Sequence, residues 1–342
     1  MSKGYVLVTG GCGYIGSHTI IDLIEHGYTP ISVDNLSNAS EDSLRAVAEI
    51  TGQQVVNHRI DLCDREATRA LFSDYPFVGV IHFAALKAVG ESVEQPMRYY
   101  RNNLESLFNV VESMEETGVR RLIFSSSCSV YGNATALPVV ESTPRQEAES
   151  PYARTKQIGE DVLLDYSKVA AAFSCVLLRY FNPAGAHPSA LIGEAPSNPA
   201  LNLVPVITET AIGKRSGVTV FGADYPTRDG SCIRDYIHIM DLARAHTLAL
   251  DYLMADRQEH NYEIFNLGIG QGVSVLEAIA AFERVSGKKL AYQIGPRRAG
   301  DVVAVYANYE QAASRLGWQP KYDIDDIMAT AWAWEQRRSA AR

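Results

Sequence analysis

Tyr152 and Lys156 are the residues whose types and spacing could do chemistry. They lie four positions apart in "SPYARTK" at 150–156, so on a helix both side chains share one face. A free tyrosine titrates near pH ~10 and is a poor base at neutral pH. A lysine one helical turn away is a group that could tune it. The same spacing also describes a plain helix surface, so the neighbouring elements decide between a proton-transfer pair and a decoration.

Those elements alternate. "YVLV" at 5–8 is a continuous apolar run, as expected for a strand buried on both faces. "PISVD" at 30–34, "VVNHRID" at 55–61, "VGVIHFAA" at 78–85, "RRLIFSSS" at 120–127 and "SCVLLRYFN" at 174–182 read as further strands. Helical patterns fill the gaps at about 41–51, 64–74 and 94–117, the last with Pro96 near its start. Strands alternating with helices predict an α/β fold, a doubly wound Rossmann-type parallel sheet. Ligands in such sheets bind beyond the carboxyl ends of the strands. The polar clusters fall there: Gly10–Gly16, Asp34, Asp61, Phe83–Lys87 and Ser125–Ser127. After about residue 181 prolines and asparagines interrupt the pattern. The expected division is a first domain over 1–180 and a smaller C-terminal α/β substrate domain over 181–342, with segments such as 237–255 able to pack back on the first.

"VTGGCGYIGSH" at 8–18 follows the first strand and opens a helix. Gly10, Gly13 and Gly16 allow a tight turn, a close backbone approach to a pyrophosphate, and close packing of helix and strand. The helix N-terminus adds unpaired N–H groups and a positive dipole end. Asp34 ends the second strand at about the 20-residue distance where an acid grips a ribose 2′-hydroxyl, which favours NAD over NADP. Asp61 ends the third strand and is either a contact to the adenine edge or a turn or N-cap residue.

The bulk numbers set the class. A chain of 342 residues has room for two domains. No apolar run approaches the ~20 residues that span a bilayer, and the N-terminus enters a glycine loop too early for a signal peptide. A cytoplasmic protein with no membrane partner is expected. The net charge of −9 argues against nucleic-acid binding. The five scattered cysteines have no metal-ligand spacing, so reduced thiols and no metal are expected.

"TGGCGYIGSH", "DNLSN", "HFAALKAVGES", "SSSCSVYG", "SPYARTK", "LRYFNPAGAHPS" and "RDYIHIMDLA" together resemble the UDP-glucose 4-epimerase family of extended short-chain dehydrogenases/reductases. The likeness runs from about residue 5 to 335, in order. It implies a tightly bound NAD, a UDP-sugar substrate and a homodimer. It also implies inversion at the sugar C4 through a 4-keto intermediate. The sequence stops soon after the last predicted helix, so no appended mutarotase-like domain is expected. By the same resemblance Tyr152 is the base, Lys156 its partner and Ser127 the third catalytic member. The ammonium and the positive nicotinamide ring would both favour the phenolate.

The resemblance extends residue by residue. Cofactor contacts are implied for Gly10, Gly13, Tyr14, Ile15, Gly16, Asp34, Asn35, Asp61, Leu62, Phe83, Ala84, Lys87, Asn102, Ser125, Tyr152, Lys156 and Phe181. Substrate contacts are implied for Lys87, Ser127, Tyr152, Asn182, Asn202, Leu203, Phe221, Arg234, Arg298, Asp301 and Val305. Arginine suits a diphosphate on an acidic protein, although Arg297 could stand in for Arg298. Cys128 and Ser129 occupy positions where related sugar-nucleotide dehydratases carry an acidic pair, which disfavours dehydration. Val305, a small residue at a gating position of the family, implies that N-acetylated UDP-sugars are also accepted. Two alternatives remain at this point. One is an epimerase of another UDP-sugar, a uronic acid or a pentose. The other is a non-catalytic dinucleotide-sensing protein.

Overall fold

A computed structural model describes residues 2–134, 136–195, 200–298 and 302–340. The chain begins with β1 (Tyr5–Thr9), α1 (Tyr14–Glu25), β2 (Thr29–Val33), α2 (Asp42–Thr51), β3 (Asn57–His58), α3 (Arg65–Asp74) and β4 (Phe77–His82). It continues with α4 (Val89–Glu94), α5 (Pro96–Thr117), β5 (Arg121–Ser127), a 3-10 turn (Cys128–Tyr131), α6 (Pro151–Val169) and β6 (Ser174–Tyr180). Then come β7 (Asn182–Ala184), α7 (Leu203–Ala211), β8 (Val218–Phe221), β9 (Ile233–Arg234), β10 (Tyr236–His238), α8 (Ile239–Met254) and β11 (Tyr262–Leu267). The last elements are β12 (Val273–Ser274), α9 (Val275–Ser286), β13 (Tyr292–Gly295), β14 (Ala304–Val305) and α10 (Ile324–Ala340).

Seven parallel strands form the main sheet in the order β11-β6-β5-β4-β1-β2-β3. This is the doubly wound Rossmann-type order, with the reversal between β1 and β4. Side chains alternate across the sheet. Val6 and Val8 face one core with Ile20 and Leu23 of α1, Val47 of α2 and Leu242 and Leu250 of α8. Leu7 faces the other, with Phe72 of α3, Val110 of α5 and Leu163 of α6. A third core joins Ile207 of α7, Val220 of β8, Phe282 of α9 and Met328 of α10 into a second lobe. Two segments beyond residue 181, α8 and β11, pack with the first lobe.

Several elements differ in extent from the sequence reading, each for a physical reason. The third strand is two residues long and pairs only with Ser32 and Val33; it is the sheet edge, where short strands are the rule. The fourth ends at His82 because Thr9 Oγ1 accepts from the N–H groups of Phe83 and Ala84 at 3.0 and 3.1 Å. The helix expected over 94–117 is broken at Gln95, since the residue before a proline avoids helical backbone. The sixth strand stops at Tyr180, and Asn182 turns to donate to the Asp235 carbonyl at 2.9 Å.

Candidate active site

The glycine loop joins β1 to α1. Gly10 has the left-handed φ of 67°. A Cβ on Gly16 would collide with the Gly10 carbonyl, so the first turn of α1 lies directly on the loop. Gly13 is the N-cap and carries no side-chain cap. The first N–H groups of α1, those of Tyr14, Ile15 and Gly16, have no intrahelical acceptors. This cradle suits a pyrophosphate. Ile15 packs into the core beneath it. The Tyr14 side chain turns away, and its hydroxyl donates to the Gly185 carbonyl at 2.7 Å, linking α1 to the second lobe.

Asp34 lies just past β2. Its carboxylate accepts from Cys12 N at 3.2 Å and Leu36 N at 2.9 Å. Burial raises its pKa, against those two backbone bonds. Asn35 donates to Asp61 Oδ2 at 3.3 Å. The other oxygen of Asp61 accepts from Cys63 N at 3.0 Å, so Asp61 makes a turn, and the N-cap of α3 is Asp64. Leu62 is a core residue. The glycine loop, the acid beyond β2 and the open helix end therefore fit a dinucleotide with an unphosphorylated ribose.

The second half of the site hangs on α6. Ser150 caps it, accepting from Ala153 N at 3.2 Å, and Pro151 occupies its first turn. One turn in, Lys156 is buried at 4% exposure and donates to the Ser125 carbonyl at 2.6 Å. Burial lowers its pKa to about 8, with Glu160 opposing. The Ser125 side chain bonds the Tyr180 hydroxyl. Ser127 closes β5 and accepts from Ser129 N at 3.2 Å, capping the 3-10 turn. Its hydroxyl faces Tyr152. Burial pushes the Tyr152 phenol up to about 12, while Ser127 pulls it down and Cys128 adds to the rise. The direction is thus opposite to that expected from Lys156 as a neighbouring cation, whose ammonium is turned to the Ser125 carbonyl.

Phe83, Ala84 and Lys87 follow β4. The Phe83 ring lies 4.6 Å from that of His246, Ala84 overlies Gly10, and Lys87 is exposed. Asn102 donates to Asn103 Oδ1 at 3.0 Å.

The residues read as substrate contacts gather on the second lobe. Arg234 lies on β9 opposite Val305 of β14, and its guanidinium donates to the Ile233 and Val302 carbonyls at 2.9 and 2.6 Å. Val305 packs with Phe181, Val130 and Tyr131. Asn182 Oδ1 is buried without a protein hydrogen-bond donor. The Arg298 guanidinium stands 5.2 Å from the Phe221 ring. Arg297 is engaged elsewhere, donating to Asp224 Oδ1 at 2.8 Å. Leu203 packs against the third core, in the second lobe, and Asn202 donates to Glu194 Oε1 at 2.7 Å. Asp301 lies outside the described residues.

Two positioning groups were not read from sequence. Asn103 is buried and accepts from Leu86 N at 2.8 Å while donating to Leu86 O at 3.0 Å and Thr155 Oγ1 at 3.1 Å. It clamps the segment after β4 to the helix of Tyr152. Glu160, wholly buried, accepts from Ser126 and from Arg179 at 2.8 and 2.6 Å. The helical spacing of Tyr152, Lys156 and Glu160 was a usable signal for the latter. Among the described residues no group of His, Cys, Asp and Glu is gathered to hold a metal, and no helix is long and apolar enough to cross a membrane.

The comparisons with known proteins agree with this geometry. The family model for GDP-mannose 4,6 dehydratase matches residues 7–331. A curated UDP-glucose 4-epimerase of Erwinia amylovora is 46% identical over 332 residues, covering 97% of this chain and 98% of the relative. The structure of UDP-glucose-4-epimerase from Stenotrophomonas maltophila, with bound NAD and formylated UDP-arabinopyranose, superposes with a TM-score of 0.96 at 42% identity, covering 99% of this chain and 100% of that one. The Bifidobacterium longum UDP-glucose 4-epimerase, in complex with NAD+ and UDP, superposes with a TM-score of 0.94, also at 42% identity, over 99% and 100% of the two chains. With the model spanning nearly all of the sequence and relatives matched end to end, the chain belongs to the UDP-glucose 4-epimerase family of extended short-chain dehydrogenases/reductases.

Proposed function

We propose that this chain is an NAD-dependent epimerase that interconverts UDP-galactose and UDP-glucose. The observation that carries it is the convergence of Ser127, Tyr152 and Lys156 near the glycine cradle, beyond the carboxyl ends of β5 and β1, in a chain so similar to curated 4-epimerases. NAD, bound by the α1 N-terminus and Asp34, would supply a reversible acceptor for the hydride of the sugar C4.

The chain's own residues manage the proton and the charge. Tyr152 takes the proton from the sugar O4 and returns it when C4 is reduced from its other face, so the cycle consumes no proton. The Ser127 hydroxyl faces the phenol and is placed to hold O4. Lys156, fixed at the Ser125 carbonyl, supplies a buried donor at the floor of the pocket. Arg234 and Arg298 are the cations for the diphosphate. The unpaired Asn182 Oδ1 supplies an acceptor for a substrate donor. We assign residues 1–180 to NAD and 181–342 to the UDP-sugar, with α8 and β11 serving the first lobe. Val305, small at a gating position of the family, is the reason to include N-acetylated UDP-sugars among the substrates. The protein would work in the cytoplasm as a homodimer, which sedimentation would check.

Proton NMR of the purified protein with UDP-galactose and no added NAD tests the reading. Appearance of UDP-glucose supports it. No conversion even with NAD supplied would overturn it in favour of another UDP-sugar, a pentose being the first to try.

A further inference from the structure

Asp235 is wholly buried between Arg234 and Tyr236. Its carboxylate accepts three backbone N–H groups, from Ile269 at 2.8 Å, Gly270 at 3.1 Å and Ala307 at 3.0 Å. These come from two separate stretches of chain, the turn after β11 and the end of the β14 segment. Its main-chain carbonyl takes a fourth, from Asn182 at 2.9 Å. The approach is close enough that a Cβ on Gly268 would collide with the carboxylate.

The segments so joined carry the candidate substrate residues. Arg234 precedes Asp235 in the chain. Val305 lies opposite Arg234 in the β9–β14 ladder and two residues before Ala307. Asn182, with its unpaired Oδ1, is the partner of Tyr236 in the β7–β10 ladder. These ladders are only two or three residues long. Backbone pairing that short holds a register weakly, and a buried carboxylate with three charge-assisted bonds holds it firmly.

We infer that Asp235 is the positioning residue of the UDP-sugar half of the site, fixing Asn182, Arg234 and Val305 relative to one another through backbone hydrogen bonds. This rests on the epimerase reading above. It acts on binding and leaves the proton-transfer trio to α6 and β5, which it does not touch.

Asp235→Asn is the test, since it keeps the shape and replaces one acceptor oxygen by a donor facing N–H groups. We expect the Kd for UDP and the KM for UDP-galactose to rise about tenfold each, with kcat falling less than KM rises and NAD content unchanged. A lower Tm with unchanged Kd and KM would make the residue merely structural and overturn the inference. A fall in kcat alone would do the same. Should the variant not fold, amide exchange in the wild-type protein decides. The Ile269, Gly270 and Ala307 amides should gain protection together on adding UDP, and independent or unaltered exchange refutes the coupling. Wild-type UDP binding and turnover, measured in parallel, separate failure of this inference from failure of the epimerase reading.

Discussion

Lys156 Nζ donates to the main-chain carbonyl of Ser125 at 2.6 Å, and this bond ties the helix that carries Tyr152, the proposed base, to the strand that ends in Ser127. The ammonium also stands 5.0 Å from the Phe124 ring centre, a favourable place for a buried cation. Its pKa is nonetheless lowered to about 8 by burial.

That shift has a sign. Between pH 8 and the ordinary lysine value of 10.5 the unfolded chain holds a proton that the folded protein has released. Stability from this group therefore rises with pH across that window and is lowest below it. In Lys156→Met the term is absent. The Tm of the NAD-free variant should lose ground against wild type as pH increases from 8 to 10.5, read by thermal melts at a series of pH values. A difference that stays constant would mean Lys156 titrates as an exposed lysine.

Tyr152→Phe removes the proposed base and leaves the ring. Turnover of UDP-galactose should fall by roughly 10²–10⁴-fold with NAD still bound. In the NAD-free protein the phenol is held near 12, so ultraviolet titration should show ionisation moving to lower pH when NAD is loaded. Equal titration with and without NAD would leave the phenol a poor base.

Gly16→Ala drives a methyl into the Gly10 carbonyl. The loop must move away from the helix end, and the purified variant should retain roughly tenfold less NAD. Absorbance and extraction measure this. Full retention would show that the cradle is not the pyrophosphate site.

Glu160→Gln leaves Arg179 buried beside an uncharged partner. Breaking a buried pair of this kind costs about 3–5 kcal/mol, which denaturant unfolding would register. A loss below about 1 kcal/mol would show that Glu141, whose main-chain carbonyl already accepts from Arg179 at 3.3 Å, or water offsets the buried cation.

Val305 packs against Phe181 beside the 3-10 turn that follows Ser127. Wild type should turn over UDP-GlcNAc, and Val305→Tyr should abolish that while changing UDP-galactose turnover by no more than roughly tenfold. Undetectable UDP-GlcNAc conversion by saturating wild-type enzyme would remove this specificity from the proposal.

Local chemistry was legible in the sequence by itself. The glycine loop between a strand and a helix, the acid beyond β2 and the tyrosine–lysine pair on α6 are all short-range patterns, each set by backbone sterics or helical periodicity within a few residues. They sufficed for a Rossmann-type sheet and for the residues to test in a site. Only the tertiary structure decided that "YEIFNL" at 262–267 completes the main sheet beside β6 and that α8 covers α1. Both are contacts across long stretches of chain, and no local period encodes a partner. The same holds for Asp235 and Asn103. A buried polar side chain has meaning only through the amides that reach it, and those amides come from segments that folding, and not sequence order, brings together.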